Sequence, residues 1–205
     1  MAVIGSLAGG QSRAEDAEDA LASGSTPIDR AAARDARIKG MVQLHFDAIW
    51  RSLRRLGVAD GALDDAAQQV FLVAARRIDE IEREREKPYL LGIAVRVASD
   101  ARRSRVRRRE VSDERAEDRV DPAPSPEELV DRMRARQLLD RVLDEMPMPL
   151  RAAFAMFEIE GMSAPEVAEA LGIPLGTAAS RLRRARALFR ETLARHTHRE
   201  GAQDA

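Results

Sequence analysis

Apolar residues recur along most of this chain at the three- and four-residue steps of a helix face. Two such stripes are Leu63, Ala67, Val70, Ala74 and Ile78 in one segment and Leu90, Ile93, Val97 and Ala101 in the next. No useful length of the sequence alternates apolar and polar residues with the period of two that a half-buried strand needs. The pattern therefore predicts an all-α fold.

Prolines divide the helical pattern into two parts. Three of them fall between residues 122 and 126, where they block both helix and sheet, and the acidic stretch 110–121 precedes them. We therefore predict two small helical domains joined by a flexible, acidic, Pro-rich linker. The predicted boundaries are a disordered N-terminal tail at 1–38, a first domain at 39–109, the linker at 110–125, a second domain at 126–195, which a capping box at Ser125–Glu128 opens, and a short tail at 196–205.

Charge is segregated along the chain rather than spread. The net charge is only −1, yet six arginines lie between residues 102 and 109 and six acids follow between 110 and 121. Six neighbouring guanidinium groups repel one another unless an anion binds, so the cluster favours contact with nucleic acid. The alternative is a solvated helix end, where cations offset the negative end of the helix dipole.

The last two helical segments have the length and punctuation of a helix-turn-helix, whose second helix enters the major groove of DNA. A capping box, Ser163-Ala-Pro-Glu166, opens the first, Gly172 and Pro174 mark the turn, and Thr177 is the predicted N-cap of the second, which should end near Ala194. The polar faces of that helix carry Ser180, Arg181, Arg183, Arg184, Arg186 and Arg190. An ordinary helical hairpin with a solvated basic face is the alternative.

The sequence lacks the residues that several other classes of function require. There is no cysteine, which excludes disulfides and thiolate ligands. Asp64 and Asp65 are adjacent, so they project about 100° apart on a helix, and no histidine is near enough to complete a metal site. We find no nucleophile–base arrangement, no signal peptide and no run near the ~20 apolar residues of a membrane span. We expect a cytoplasmic, non-enzymatic protein with no cofactor, no metal and no membrane insertion.

Two segments resemble the two domains of bacterial extracytoplasmic-function (ECF) RNA polymerase sigma factors. In residues 41–109 the resemblance rests on Asp65-Ala-Ala-Gln-Gln-Val-Phe71, on Tyr89-Leu-Leu-Gly-Ile-Ala94 and on Asp100-Ala-Arg-Arg103. In residues 127–193 it rests on Met146-Pro147, Arg151-Ala-Ala-Phe154, Gly161-Met-Ser163, Glu166-Val-Ala168 and, most specifically, Gly176-Thr-Ala-Ala-Ser-Arg-Leu-Arg-Arg-Ala-Arg186.

The resemblance implies a two-domain fold and a role for particular residues. It implies that core RNA polymerase is bound by Asp65, Gln68, Gln69 and Phe71. It implies that the minus-ten promoter element is engaged by the helix carrying Arg96, Arg102 and Arg103 and by the loop before it. It implies that the minus-thirty-five element is read by Thr177, Ser180, Arg181, Arg183 and Arg184. An anti-sigma factor is a further partner that the family often has.

This sequence departs from the family pattern at four places: Tyr89 replaces Trp, Arg96 replaces Asn, Met146 replaces Leu, and Ala178-Ala179 replaces Val-Lys. Arg96 puts the details of minus-ten reading in doubt, and the alanine pair removes one expected DNA contact. Two other functions stay open at this point. One is a helix-turn-helix regulator that never docks on polymerase, and the other is a nucleic-acid enzyme.

Overall fold

The computed structural model describes residues 26–108 and 126–201. Helices and the turns between them account for all of these residues, and no strand occurs among them, which confirms the all-α prediction. The chain divides into two compact units, residues 1–43 and residues 44–205. The predicted linker, residues 110–125, lies outside the described residues, and so does Ser125 of the capping box predicted to open the second domain.

The first helix, α1 (Pro27–Arg55), begins earlier than the sequence analysis expected. Residues 27–38 were placed in a disordered tail, and that part of the expectation is wrong. The reason is local: Thr26 Oγ1 accepts from the Asp29 N–H at 3.1 Å, Asp29 Oδ2 accepts from the Thr26 N–H at 3.0 Å, and Pro27 occupies the first turn. Alanine-rich sequence then continues the helix at little entropic cost.

The first helical module, residues 44–108, is built from the C-terminal part of α1, α2 (Leu63–Ala75) and α3 (Glu86–Arg108). Helix α1 ends before Gly57, which adopts φ 85°, a left-handed conformation that favours glycine. Short 3₁₀ turns at Asp60–Ala62, Ile78–Glu80 and Arg83–Arg85 join the helices. The first predicted stripe faces inward, with Leu63, Ala67, Val70, Ala74 and Ile78 all buried. In the second, Leu90 and Ile93 are buried, whereas Val97 and Ala101 are half-buried.

The second helical module, residues 126–201, consists of α4 (Pro126–Asp144), α5 (Met148–Phe154), a π-helical segment (Ala155–Ile159), α6 (Ala164–Leu171) and α7 (Leu175–Gly201). Its core contains Leu143, Met146, Phe154 and Ala185, with Phe189 packed against it. The rings of Phe154 and Phe189 stack with their centroids 4.6 Å apart. This contact fixes α7 across α5.

Two expectations about α7 are wrong. Thr177 is not its N-cap, because the Pro174 carbonyl already accepts from the Thr177 and Ala178 N–H groups at 2.9 and 3.0 Å and starts the helix two residues earlier. Nor does the helix end near Ala194. It continues through the start of the predicted tail, where Arg195 and His196 both contact the Glu145 carboxylate, at 2.8 and 2.7 Å. None of the described helices is long and apolar enough to cross a membrane.

The two modules pack against each other within the unit 44–205. Helices α3 and α6 approach closely at Gly92, where a Cβ atom would lie 2.7 Å from the backbone carbonyl oxygen of Ala170. One contact between the modules is therefore between backbones, at the helix that begins the helix-turn-helix.

Candidate functional site

Helices α6 and α7 form the predicted helix-turn-helix. Ser163 and Glu166 make the predicted capping box: Ser163 Oγ accepts from the Glu166 N–H at 3.4 Å, and Glu166 Oε2 accepts from the Ser163 N–H at 2.7 Å. Gly172 closes α6 in the left-handed conformation, with φ 63°, and Pro174 opens α7. The chain thus reverses through three residues, which fixes the angle at which α7 leaves the module.

One side of α7 packs inward and the other carries cations. Ala178, Leu182 and Ala185 are buried, and the two small residues let α7 lie close to its neighbours. Arg183 and Arg184 are exposed and Arg181 is half-buried. These three guanidinium groups can therefore reach a ligand without unfolding the module, and a planar guanidinium suits both phosphate oxygens and guanine edges.

Two other arginines of α7 are held by their own module. Arg186 Nε donates to Glu158 Oε1 at 2.5 Å, and its guanidinium lies 4.9 Å from the centre of the Phe157 ring. Arg190 Nε donates to the Arg186 carbonyl at 3.2 Å. These contacts distinguish them from Arg181, Arg183 and Arg184, a difference that helical periodicity alone does not reveal.

The two predicted polar contacts at the start of α7 are less accessible. Thr177 and Ser180 are both half-buried, and the Ser180 hydroxyl donates to the Thr177 carbonyl at 2.9 Å. The Ser180 oxygen keeps a lone pair for a further donor, while its proton is already used. The structure therefore brings all five predicted residues to one stretch of α7, and Arg183 and Arg184 are the most exposed of them.

The predicted minus-ten residues of α3 do not share one surface. Arg96 and Arg103 are exposed, and Arg103 is paired with Asp100 at 2.5 Å. Arg102 is half-buried and lies against Gly57, beside the guanidinium of Arg151 from the second module. In this arrangement Arg102 lies toward the contact between the modules, whereas Arg96 and Arg103 lie toward solvent.

Three of the four predicted polymerase-binding residues share an exposed face of α2. Asp65, Gln68 and Gln69 are exposed, but Phe71 is buried, with 6% of its surface exposed and its ring stacked on Phe46 at 6.2 Å. Phe71 therefore supports this face from within. Its predicted direct contact with polymerase stays a prediction.

An apolar residue that the sequence analysis did not select completes this face. Leu72 follows Gln68 and Gln69 by four and three positions, so it lies beside them on α2, and it is 51% exposed. The sequence signal was present, because Leu72 falls off the buried stripe. Asp64, the neighbour of Asp65, has a partner within the module, since its Oδ1 accepts from the Trp50 indole N–H at 3.0 Å.

Glu160 of the second module is surrounded by donors from the first. Its Oε1 accepts from the Ser52 hydroxyl at 2.8 Å and lies 3.2 Å from Arg55 Nη1, and its Oε2 lies 3.2 Å from Lys87 Nζ. Lys87 Nζ also donates to the Glu160 carbonyl at 3.1 Å. Only 9% of the Glu160 side chain is exposed, so these partners supply the hydrogen bonds that water does not.

A second buried contact reinforces the first. Arg151 is 1% exposed, donates from Nε to the carbonyl of Arg55 at the end of α1, and pairs through Nη1 with Asp144 at 2.7 Å. Burial lowers the pKa of the Arg151 guanidinium, and Asp144 opposes that shift. Arginine stays charged in proteins, so Arg151 remains a cation that needs both partners.

Comparison with known proteins finds a matching family model in the second module and sigma-factor relatives over most of the chain. Residues 136–189 match the family described as "Sigma-70, region 4". The chain is 33% identical over 169 residues to the ECF RNA polymerase sigma factor SigE of Mycolicibacterium smegmatis, covering 80% of this chain but only 64% of that relative's length. It is 30% identical to the RNA polymerase sigma factor NccH of Alcaligenes xylosoxydans (72% of this chain, 81% of the relative) and 27% identical to the ECF RNA polymerase sigma-E factor of Escherichia coli (78% and 88%).

Solved structures share the fold. The sigma factor RpoE from Bartonella quintana, in complex with the anti-sigma factor NepR, superposes with a TM-score of 0.58 at 23% identity, covering 76% of this chain and 96% of that one. CnrH in complex with the cytosolic domain of CnrY gives a TM-score of 0.57 at 22% identity, with coverages of 77% and 87%. These matches span both helical modules and show the shared fold. The similarity to NccH, at 30% identity over 81% of that relative's length, makes this chain a member of the family of RNA polymerase sigma factors.

Proposed function

We propose that the chain binds core RNA polymerase and directs it to the promoters of a particular set of genes. The observation that carries this proposal is the free arginine surface of α7, Arg181, Arg183 and Arg184, on a helix-turn-helix that belongs to a sigma region 4 family. In this proposal α7 enters the major groove of the minus-thirty-five element, where arginines bind guanine edges and phosphates.

The first module supplies the other two contacts. The exposed face of α2, with Asp65, Gln68 and Gln69, docks on polymerase. Helix α3 engages the minus-ten element through Arg96 and Arg103, and Arg102 joins them when the modules separate. The protein acts in the cytoplasm, where it positions polymerase and leaves the chemistry of RNA synthesis to it. We also propose a protein partner that restrains it, as the related RpoE was captured with an anti-sigma factor.

The test is binding of the purified chain to core RNA polymerase, with Asp65→Ala/Gln68→Ala as the variant. We expect tight binding that this double substitution weakens at least about tenfold, since each lost interface hydrogen bond to a charged group is worth about 1.5–3 kcal/mol. Glu84→Ala/Gln137→Ala is the matched control, because it also removes one exposed acid and one exposed amide, but away from α2.

Two other outcomes of this binding experiment would contradict the proposal in whole or in part. If the wild-type chain does not bind core polymerase but binds duplex DNA of defined sequence by itself, the chain is a helix-turn-helix regulator and the proposal fails. If both double variants weaken binding equally, polymerase docks elsewhere than on α2.

A further inference from the structure

Several contacts between the two modules join groups of opposite charge. Besides the Glu160 cluster, Arg85 Nη1 lies 2.7 Å from Glu169 Oε1 and Arg54 Nη2 lies 3.5 Å from Asp140 Oδ2. In each of these contacts the first module contributes the cation and the second the carboxylate. At these positions the second module therefore offers carboxylates to cations of the first, whereas Arg151 lies beside Arg102 in the same contact.

The cations held in this way lie beside a DNA-binding element. Arg85 and Lys87 occupy the turn into α3 and its first residues, in the part of the chain proposed to open the minus-ten element. Glu160 and Glu169 occupy them with carboxylate oxygens, the groups that most resemble phosphate oxygens in charge and geometry. A DNA phosphate and the second module therefore compete for the same two cations.

The closed arrangement also conflicts with the distance between promoter elements. Elements centred at minus ten and minus thirty-five lie about 25 base pairs apart, which is about 85 Å of duplex at 3.4 Å per base pair. Helix α7, the longest element of the second module, has 27 residues and spans only about 40 Å at 1.5 Å per residue. Modules in contact cannot place α3 and α7 on both elements at once.

We propose that Glu160 and Glu169 form a carboxylate latch that holds the free chain in a closed state unable to engage a promoter. Glu160 is the main part of the latch, because it is nearly buried and satisfies Ser52, Arg55 and Lys87 together. Opening separates the modules and releases Arg85 and Lys87 to bind phosphate. The promoter consequence rests on the function proposed above, whereas the closed state of the free chain does not.

The latch is tested first on the free chain by single-molecule energy transfer. The chain has no cysteine, so dyes can be attached at Arg76→Cys and Glu191→Cys, two exposed positions, one in each module. Glu160→Gln keeps the shape of the side chain but removes its charge. We expect one compact population in the parent chain and at least about a tenfold higher open fraction in Glu160→Gln, because a buried ion pair that loses one charge is strongly destabilised.

Controls separate opening from unfolding. Glu84→Gln removes an exposed acid and should leave the compact population unchanged. Helix content measured by circular dichroism should be equal in all variants; if Glu160→Gln loses helix, Arg85→Gln/Lys87→Gln replaces it, since these side chains are 56% and 39% exposed. A folded variant whose energy-transfer distribution overlays that of the parent chain would overturn the proposal.

A locked chain tests the promoter consequence. Arg85→Cys/Glu169→Cys, bridged by a short bis-methanethiosulfonate reagent that forms a disulfide with each cysteine and releases two sulfinate groups, holds the modules together at the point of the latch. We expect the locked chain to give no run-off transcript with core polymerase, and we expect reduction of both disulfides to restore transcription to the level of the same double variant before bridging. Full transcription by the locked chain would refute the latch. By contrast, a reduced chain with an intact compact population that still fails to bind polymerase would refute the proposed function alone.

Discussion

A Cβ atom on Gly92 would lie 2.7 Å from the backbone carbonyl oxygen of Ala170. Real Cβ atoms do not approach a carbonyl oxygen so closely, and the oxygen belongs to the backbone of α6, which cannot rotate away as a side chain can. Glycine is therefore required at residue 92 by the packing of the two modules rather than by the local conformation of α3. A substitution at residue 92 therefore tests the contact between the modules without altering any charge.

Gly92→Ala should open the modules by steric conflict. We expect a higher open fraction in the energy-transfer experiment, as in Glu160→Gln, but one that still rises with salt as in the parent chain, because every ion pair between the modules is retained. Helix α3 itself should tolerate alanine, the better helix former by about 0.5–1 kcal/mol. Gly40→Ala is the control: nothing lies within 4 Å of its Cβ, so it should leave the open fraction unchanged. A compact Gly92→Ala chain would contradict the packing described here.

Ser163→Ala should destabilise the helix-turn-helix. It removes the hydroxyl that caps α6, at a cost of about 1 kcal/mol in the free energy of unfolding measured by denaturant titration. The side-chain and backbone hydrogen bonds from Ser163 hold the pKa of the Glu166 carboxyl below its ordinary value, so the pKa should rise in the variant. Ser163→Thr keeps the oxygen and should restore both properties. Equal stabilities for alanine and threonine would show that the cap contributes nothing.

Arg184→Ala should weaken DNA binding, whereas Arg186→Ala should lower the stability of the fold. Arg184 is exposed, so its loss should cost about 1–3 kcal/mol of promoter binding and relax the base preference at one position of the minus-thirty-five element. Arg186 is bound to Glu158 and Phe157, so its loss should lower the free energy of unfolding and leave base preference intact. Binding measured against a set of single-base promoter variants distinguishes the two. A uniform loss for Arg184→Ala, with a salt slope lower by about one, indicates a phosphate contact instead.

The C-terminal turns of α7 should loosen in acid. The hydrogen bond with His196 is the main cause that lowers the pKa of Glu145, and Arg195 adds to it. A carboxyl whose pKa is lower in the folded state stabilises that state above its unfolded pKa, about 4.3 for Glu, and this contribution disappears as the pH falls through the folded value. Carboxyl titration by NMR should show the Glu145 pKa moving upward in His196→Ala. An unchanged midpoint would mean that His196 does not bind Glu145 in solution.

Local patterns in the sequence predicted most of the helices and, for several of them, which side is buried. The stripe from Leu63 to Ile78 and the Ser163–Glu166 box depend on residues three or four positions apart, so both could be recognised directly. The start of α1 was missed because the Thr26–Asp29 box precedes an alanine-rich segment without an apolar stripe. Phe71 was assigned to a surface because the family pattern names the residue without stating where its ring points.

The contact between the modules had no local signal at all. Ser52 and Glu160 are 108 positions apart, and neither belongs to a motif that specifies the other. The same holds for Arg151, which as an isolated arginine in a sequence suggests a solvated or DNA-binding side chain, yet here is buried against the end of α1. Such pairs depend on how two folded modules meet, and helical periodicity carries no information on that.

The π-helical segment Ala155–Ile159 lets two glutamates that are close in sequence contact different parts of the protein. A π turn holds more residues per turn than an α-helix, so it shifts the phase of the side chains that follow. Within and just after it, Glu158 points to α7 and Glu160 to the first module. Deleting Ile159 would turn this segment into an α turn and would move Glu160 by about 100° around the helix axis relative to Glu158. DNA reading and module closure could then be uncoupled by a change in length alone, with every charge retained.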